Sequence, residues 1–440
     1  MFRRALLGLF LLAAAAIPAS AQFNGCVAGF CSSSSQWVFP GATLDLDFAN
    51  NRYFGVANGI NSLTVSRASS GYAEALDGTW VNFGNNIARR TDRGLLVEES
   101  RTNSIRNNSM QGAVAGSPGT LPTNWGVPSL AGLTETVVAV GAVNGIDYID
   151  LRYQGTTTGT ILFRYFESTL QIAASVGQTF TYSSFLAMVG GSAGNIASIR
   201  NSLTERNSVG GVLGILTGQN VLPSLSSNLT RFADTGTTLQ ATTAAVQPGF
   251  AMNFASGVAI DVTIRIGWPQ LELGAFATSP IRTTAAAATR AADDVSMPTG
   301  SWFNAGAGTL YGSVKTASVQ GIQTLAVINN GADNDRYTIR SSSGSMAGTI
   351  ITGGVLQAEM LKGTLAASAL LKSAMAFEPN NSAFTTAGAT PETDIAISLP
   401  TVTTLRVGSR QNAEYMNGYI ERIAYFPRRL SNTELQSLTQ

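Results

Sequence analysis

Alternating apolar and polar positions mark short β-strands along most of the chain. In the clearest run, residues 258–266, every second position from Val258 to Ile266 is Val or Ile, and the positions between them are Ala, Asp, Thr and Arg. Successive side chains of a strand point to opposite faces, so this period of two predicts a strand with one face in a core. Comparable runs lie at residues 44–48, 63–67, 94–99, 161–166, 180–185, 309–316, 405–407 and 419–426.

Turn-rich stretches separate these runs and predict an all-β fold with two β-sandwich modules. We expect an N-terminal β segment at residues 40–105, a sandwich or jelly roll at 106–285, an Ala- and Thr-rich linker at 286–300, and a further sandwich at 301–440. The small N-terminal segment leaves two alternatives open. It forms its own unit, or it completes the downstream sandwich with the jelly roll as an insertion.

A short helix is predicted near the end of the chain. Ser431 occupies the N-cap position and Glu434 follows three residues later, which is the spacing of a capping box. Leu430 and Leu435 occupy the positions of a hydrophobic staple across the same turn.

The first 21 residues have the three parts of a secretory signal peptide. Arg3 and Arg4 precede an apolar run at residues 5–17, and the small residues 19–21 form a cleavage site. A membrane anchor is the alternative, but this run is too short to span a bilayer comfortably, and we expect no span in the mature chain. The sequence therefore predicts a secreted or cell-surface protein.

The mature chain is close to neutral. The whole sequence has 27 basic and 26 acidic residues, and removal of Arg3 and Arg4 leaves a net charge of −1. Such a balance provides no basic stripe to follow a phosphate backbone, so nucleic acid is not an expected partner.

Cysteine and histidine usage limits the possible chemistry. Cys26 and Cys31 lie in the flexible segment 22–39, where a local disulfide or two unpaired thiols are the alternatives. The chain contains no histidine. Ser-His-Asp and Cys-His nucleophiles and His-ligated catalytic metals are therefore excluded.

Carboxylate chemistry is the principal catalytic option that remains. A glycosidase needs two acids placed on either side of a sugar. The acid pairs that are close in sequence are Asp45 with Asp47, Glu98 with Glu99, and Asp293 with Asp294. We expect them at strand edges or in turns, so the sequence predicts a protein that is not a conventional enzyme. A carboxylate glycosidase is kept as an alternative.

Three stretches together resemble a known group of proteins. They are SRASSGY with GLLVEESRTN at 66–72 and 94–103, WPQLELGAFATSP with ATRAAD at 268–280 and 288–293, and NGYIERIAYFPRRLS at 417–431. Their order resembles phage and prophage tail or virion-surface proteins, in which a carbohydrate-binding-module-like jelly roll precedes a concanavalin A-like (laminin G-like) sandwich.

The resemblance covers most of residues 40–440 and implies attachment to a surface, often through host glycans. One departure is the signal peptide, because virion proteins assemble in the cytoplasm and normally have none. This favours a domesticated or bacterial exported relative over a part of a phage particle.

Aromatic side chains in loops are the candidate sugar contacts, because sugar rings stack on exposed aromatic faces. The candidates are Trp125 in a Gly- and Pro-rich loop, Trp302 near the linker, and Tyr415 and Tyr419 around a turn. Trp268 directly follows a buried strand, and we expect it to pack in a core.

Calcium is a possible cofactor, because concanavalin A-like relatives often bind it. Asp333, Asn334 and Asp335 lie in one loop and offer oxygen ligands, although the same residues also stabilise ordinary turns. The function predicted from the sequence is an exported, non-catalytic, adhesive protein that binds a cell-surface glycan. The main alternative is a structural component of a virion or surface layer that forms homo-oligomers.

Overall fold

Four large antiparallel β-sheets, arranged as two sandwiches, make up most of the molecule. The structure is a computed structural model that describes residues 37–411 and 413–440. The predicted all-β fold with two sandwich modules and a short terminal helix is confirmed. The signal peptide at 1–21 and the Cys26–Cys31 disulfide remain predictions, because they lie outside the described residues.

Eight short strands precede the jelly roll, together with a 3-10 helix at Gly59–Ser62. The strands are β1 (Leu44–Asp47), β2 (Arg52–Phe54), β3 (Thr64–Ser66), β4 (Gly71–Glu74), β5 (Trp80–Phe83), β6 (Arg90–Thr91), β7 (Gly94–Val97) and β8 (Arg101–Asn103). Strands β4 and β5 form a separate hairpin.

The jelly roll contains ten strands and a 3-10 helix at Leu222–Ser224. The strands are β9 (Thr134–Val143), β10 (Ile146–Thr156), β11 (Ile161–Tyr165), β12 (Ile172–Ala173), β13 (Thr179–Ser192), β14 (Ile196–Arg206), β15 (Val212–Thr217), β16 (Thr230–Thr237), β17 (Ala245–Phe254) and β18 (Ala259–Leu273). One sheet has the order β16-β13-β18-β10-β9, and the other has the order β11-β17-β14-β15 with β12 beside β17. Val262, Ile264 and Ile266 of β18 are fully buried between the sheets, as their period of two predicted.

The chain after the jelly roll forms twelve further strands and an α-helix. The strands are β19 (Ala288–Arg290), β20 (Asp294–Pro298), β21 (Gly308–Thr316), β22 (Ile322–Asn329), β23 (Arg336–Ser342), β24 (Ser345–Thr352), β25 (Val355–Thr364), β26 (Leu370–Glu378), β27 (Asn381–Thr386), β28 (Glu392–Asp394), β29 (Thr404–Val407) and β30 (Gly418–Phe426). The helix is α1 (Asn432–Thr439).

The N-terminal strands are built into the C-terminal sandwich. Its first sheet has the order β2-β1-β30-β21-β26-β27-β28, and β7 also pairs with β30. Its second sheet has the order β25-β24-β23-β22-β29-β20-β3. Leu44 of β1 and Leu95 of β7 are fully buried in the same core as Leu310 of β21. The strand pairing therefore matches the alternative in which the N-terminal segment completes the downstream sandwich.

The jelly roll is inserted between two neighbouring strands. In the ribbon of β8 and β19, Asn103 at the exit of the C-terminal sandwich lies directly opposite Ala288 at the return. Residues 38–440 nevertheless form one compact unit by their contacts.

The segment at 286–300 is not the linker that its composition suggested. It contains β19 and β20, and β20 pairs with both β3 and β29. Val295 and Met297 occupy alternate positions of β20 and are buried in the core. Two alternating apolar residues are a weak strand pattern, and the Ala, Thr and Pro residues around them made the segment resemble a linker.

The terminal helix has the predicted caps. The Ser431 hydroxyl accepts a hydrogen bond from the Glu434 N–H, and the Glu434 carboxylate accepts one from the Ser431 N–H. Leu430 and Leu435 are buried together beside the first sheet. No helix in the described ranges is both long and apolar enough to cross a membrane.

Candidate functional site

A fully buried group of five charged side chains lies where the two modules meet. This buried charge cluster consists of Arg67, Arg89, Glu98, Arg290 and Asp293. Arg67 Nη1 lies 2.8 Å from Asp293 Oδ1, and Arg89 Nη1 lies 2.8 Å from Glu98 Oε2. Arg89 also pairs with Asp293, and Arg290 Nη2 lies 3.5 Å from Glu98. Four of the five members belong to the stretches that carry the family resemblance, and their role here is structural.

Ser279 connects this cluster to the jelly roll. Its N–H donates to Glu98 Oε1 at 2.7 Å, and its hydroxyl donates to Glu98 Oε2 at 2.6 Å. Burial raises the pKa of Glu98, but Arg290, Arg89 and these hydrogen bonds outweigh it and hold the pKa well below its usual range. The ionised carboxylate of Glu98 therefore joins the N-terminal segment to the end of the jelly roll.

A cleft of about 240 Å³ opens beside this cluster. We call it the inter-module cleft, because its walls come from the β4–β5 hairpin, the first sheet of the C-terminal sandwich and the jelly roll. The side chains that define it are those of Glu74, Trp80, Arg93, Leu96, Glu98, Arg231, Thr278, Ser279, Lys315, Ser368, Asn417 and Tyr419.

Three neighbouring strands provide the sheet side of the cleft. Tyr419 of β30 lies directly opposite Lys315 of β21 on one side and Leu96 of β7 on the other. Residues in register across antiparallel strands point to the same face, so the three side chains form a row. Lys315 is exposed, Tyr419 is half-buried and Leu96 is buried.

The β4–β5 hairpin provides the second wall. Glu74 and Trp80 are cross-strand partners and are both half-buried. The Tyr419 hydroxyl accepts a hydrogen bond of 2.7 Å from the Glu74 N–H, which holds the hairpin against the sheet. Glu74 Oε2 lies 3.2 Å from Arg93 Nη2. Burial raises the pKa of Glu74, and Arg93 and Arg231 oppose the shift without cancelling it.

Arg231 is the principal charged group on the jelly-roll wall. It donates to the Thr278 carbonyl at 2.6 Å and to the Ser183 hydroxyl at 3.0 Å. Its Nε is buried without a hydrogen-bond partner, and no carboxylate of the described residues lies within ion-pair distance. Burial lowers the pKa of Arg231, and the charges of Glu272, Glu98 and Glu74 oppose the shift.

The structure places only one of the predicted sugar contacts in the cleft, which is Tyr419. Trp125 is buried, with its ring centroid 5.0 Å from that of Phe166, so the expectation of an exposed loop residue is wrong. The Gly- and Pro-rich loop folds onto the jelly-roll core and carries the indole with it.

Trp302 and Tyr415 pack with the core of the C-terminal sandwich. Trp302 is 5% exposed and makes an edge contact with Tyr425 at 5.2 Å between centroids. Tyr415 is half-buried against the same core. Trp268 is fully buried, as expected, and its indole N–H donates to Asp147.

The loop proposed for calcium uses its oxygens for its own structure. Asp333 Oδ2 lies 2.7 Å from Arg410 Nη1. Asp335 Oδ1 accepts from the Gly353 N–H, and Asn330 donates its amide to both Asn334 and Asp335. These bonds match the alternative of a turn stabilised by its side chains. Within residues 37–411 and 413–440, no group of three acidic or cysteine side chains is arranged to hold a metal.

The acid pairs noted in the sequence are also engaged. Asp45 forms a bidentate ion pair with Arg422, in which Arg422 Nε lies 2.7 Å from Asp45 Oδ1. Asp47 accepts a hydrogen bond from the Asn50 side-chain amide. Glu99 pairs with Arg101, and Asp294 pairs with Arg406. None of the three acid pairs presents two free carboxylates to the inter-module cleft.

Sequence reasoning missed Glu74, Trp80, Arg93, Arg231 and Lys315. They lie on segments that are far apart in the chain, and only the insertion of the jelly roll brings them together. The row of Lys315, Tyr419 and Leu96 depends on strand pairing that no local pattern specifies.

No protein-family model matches the chain, and no curated protein matches it in sequence. Similar solved structures include the CBM40 domain of Ruminococcus gnavus IT-sialidase bound to α2,3 sialyllactose. The two sequences are 20% identical, the match covers 31% of this chain and 84% of the CBM40 chain, and the TM-score is 0.28. Mouse laminin α1 domains LG4-5 show 11% identity, coverage of 59% and 86%, and a TM-score of 0.24. Scores this low carry no argument about the ligand, which has to be inferred from the cleft.

Proposed function

We propose that the protein is exported and binds a cell-surface glycan in the inter-module cleft without transforming it. The observation that carries this proposal is the meeting of two half-buried aromatic residues, Trp80 and Tyr419, with charged and hydroxyl groups in one concave site. Sugar rings pack their apolar faces on aromatic rings, and their hydroxyls bond to carboxylates, amides and guanidinium groups. Concave sites between modules are common positions for such ligands.

The buried charge cluster supports this role because it fixes the walls of the cleft relative to one another. Ser279 of the jelly roll and Arg89 of the N-terminal segment both bond to Glu98, which itself lines the cleft. A binding site held by buried ion pairs loses little conformational freedom when a ligand enters. The signal-like N-terminus and the resemblance to virion-surface proteins support an adhesive role at a cell or particle surface.

Glycan binding is tested by applying the purified protein to an array of bacterial and host surface polysaccharides. We expect reproducible binding to at least one glycan class, and competition by the free glycan. The absence of binding across the array, together with a stable homo-oligomer in sedimentation, would instead favour a structural component of a surface layer or virion.

Glycoside hydrolysis is a second candidate, because two carboxyl groups in the cleft have pKa values shifted in opposite directions. That of Glu74 is raised and that of Glu98 is lowered, which is the relation between the acid and its partner in glycosidases. Against this candidate, both oxygens of Glu98 already accept hydrogen bonds from Ser279 and Arg89.

Release of reducing ends from an array-positive glycan separates the two candidates. Turnover by the unmodified protein that disappears in Glu74→Gln would establish hydrolysis. A protein that only binds should release no reducing ends from the glycan, either in its unmodified form or as Glu74→Gln.

A further inference from the structure

The cleft and the buried charge cluster behind it contain more positive than negative groups, although the whole chain is nearly neutral. The basic side chains are Arg67, Arg89, Arg93, Arg231, Arg290 and Lys315. The acidic side chains are Glu74, Glu98 and Asp293, together with Glu272 and Glu421, which interact electrostatically with Arg231 and Lys315. The excess positive charge lies in one concave region, where low-dielectric walls strengthen its field.

Two of these cations, Arg231 and Lys315, form no ion pair with a described residue. The Glu74–Arg93 pair is neutral, and the three arginines of the cluster surround Glu98 and Asp293. The guanidinium of Arg231 donates hydrogen bonds to the Thr278 carbonyl and the Ser183 hydroxyl, which are both uncharged. Its buried Nε has no partner among the described residues.

Lys315 is the second of these cations without an ion pair. The two other lysines of the chain have partners, since Lys362 Nζ lies 2.9 Å from Glu392 and Lys372 donates to the Gln440 carbonyl. The side chain of Lys315 makes no ion pair or hydrogen bond with a described residue, and it is exposed at the mouth of the cleft. Burial raises the pKa of Glu421 on β30, and the charge of Lys315 opposes this shift more than that of Lys372 does, but Glu421 forms no ion pair with Lys315 and does not line the cleft.

We infer that Lys315 and Arg231 form an anion subsite, so that the glycan bound in the inter-module cleft carries an acidic group such as the carboxylate of an acidic sugar. Trp80 and Tyr419 contact the ring, and the two cations contact the acidic substituent. The guanidinium of Arg231 contributes a fixed positive charge to the wall, and Lys315 adds a mobile positive charge at the rim. This inference rests on the proposed function and specifies its ligand class.

The test compares acidic glycans with their neutral counterparts on one array. Each sialylated or uronic acid-containing glycan is placed beside the same glycan after removal of the sialic acid or reduction of the carboxyl group. We expect the acidic members to bind and their neutral counterparts to bind at least about tenfold more weakly. We also expect the affinity for the acidic members to fall as the salt concentration rises.

Lys315→Gln is the diagnostic variant, and Lys362→Gln is its matched control. Both lysines are on the surface of the C-terminal sandwich, so neither change threatens folding. Lys315→Gln should weaken binding of the acidic glycan about fivefold, the loss typical of one accessible ion pair, and Lys362→Gln should have no effect.

Two results would overturn the anion subsite while leaving glycan binding intact. They are equal affinity for acidic and neutral partners, and equal affinity of the Lys315→Gln and Lys362→Gln variants. Absence of binding to every glycan would instead overturn the proposed function and the subsite with it.

Discussion

Glu98 illustrates how one side chain links sequence to architecture in this protein. It follows β7, accepts hydrogen bonds from Arg89 and from Ser279 of the jelly roll, and is 4% exposed. A buried carboxylate of this kind is tolerated only when its charge and its lone pairs are satisfied. Glu98 of the stretch GLLVEESRTN therefore builds the junction between the modules, and it also lines the inter-module cleft.

The first prediction concerns the stability of this junction. Arg89→Met removes one partner from the buried charge cluster and leaves Glu98 and Asp293 with less compensation. The free energy of unfolding should fall by about 3–5 kcal/mol, measured by chemical denaturation. Arg152→Met is the control, because its pair with Asp261 is accessible to water and its loss should change the free energy of unfolding far less. Equal losses in the two variants would contradict the role of the cluster.

The second prediction is a pH dependence of stability. The pKa of Glu98 is held below its usual value of 4.5, so the folded state binds this proton less readily than the unfolded state. The contribution of ionised Glu98 to the free energy of unfolding is fully present above pH 4.5 and is lost as the pH falls through the folded-state pKa. Urea midpoints measured below pH 4.5 should therefore fall more steeply in the unmodified protein than in Glu98→Gln. If the urea midpoints of the unmodified protein and of Glu98→Gln fall in parallel with pH, Glu98 is not responsible for the loss of stability in acid.

Individual aromatic residues were only partly predictable from the sequence. Loop composition favoured Trp125, but the indole is buried because its loop folds onto the jelly roll. Trp80 had no comparable local signal, and its place in the cleft depends on a hairpin held by Tyr419 some 340 residues later, through the bond to the Glu74 N–H. Whether an aromatic residue faces a ligand is therefore decided by long-range packing.

At the level of elements, the ribbon of β8 and β19 separates the two modules. Because Asn103 and Ala288 are directly opposite each other, the chain enters and leaves the jelly roll at one point. The jelly roll also has its own core, which is distinct from the core that β1 and β7 share with β21.

The third prediction follows from this insertion. Replacement of residues 104–287 by a short Gly-rich turn should leave a C-terminal sandwich that folds, with a strand-rich circular dichroism spectrum and a cooperative thermal transition. A chain starting at residue 286 should not fold, because it lacks β1, β3 and β7. Cooperative folding of the shorter chain, or failure of the deletion variant, would contradict this assignment of the modules.

Strands with a clear period of two, such as β18 and β30, were predictable because one face of each is buried and the pattern records it. β20 was not predictable, since only Val295 and Met297 of its five residues are buried and apolar. The pairing of β1 with β30 was open in the sequence, because strand alternation specifies which face is buried and not which partner lies beside it.

At the scale of the whole molecule, the insertion creates the inter-module cleft. The hairpin, the jelly roll and the C-terminal sheet each contribute only part of it, and the buried charge cluster holds the parts together. The proposed binding site thus lies at a junction, and neither sandwich alone contains Trp80, Arg231 and Tyr419.

The most direct test of glycan recognition in the cleft is the affinity of the strongest array glycan for two matched variants. Trp80→Leu removes the aromatic ring from the cleft, and Phe54→Leu removes an exposed ring on β2, outside the cleft. Isothermal titration should show a loss of about tenfold or more for Trp80→Leu and no change for Phe54→Leu, with both variants folded. Unchanged affinity in folded Trp80→Leu would contradict recognition in the inter-module cleft.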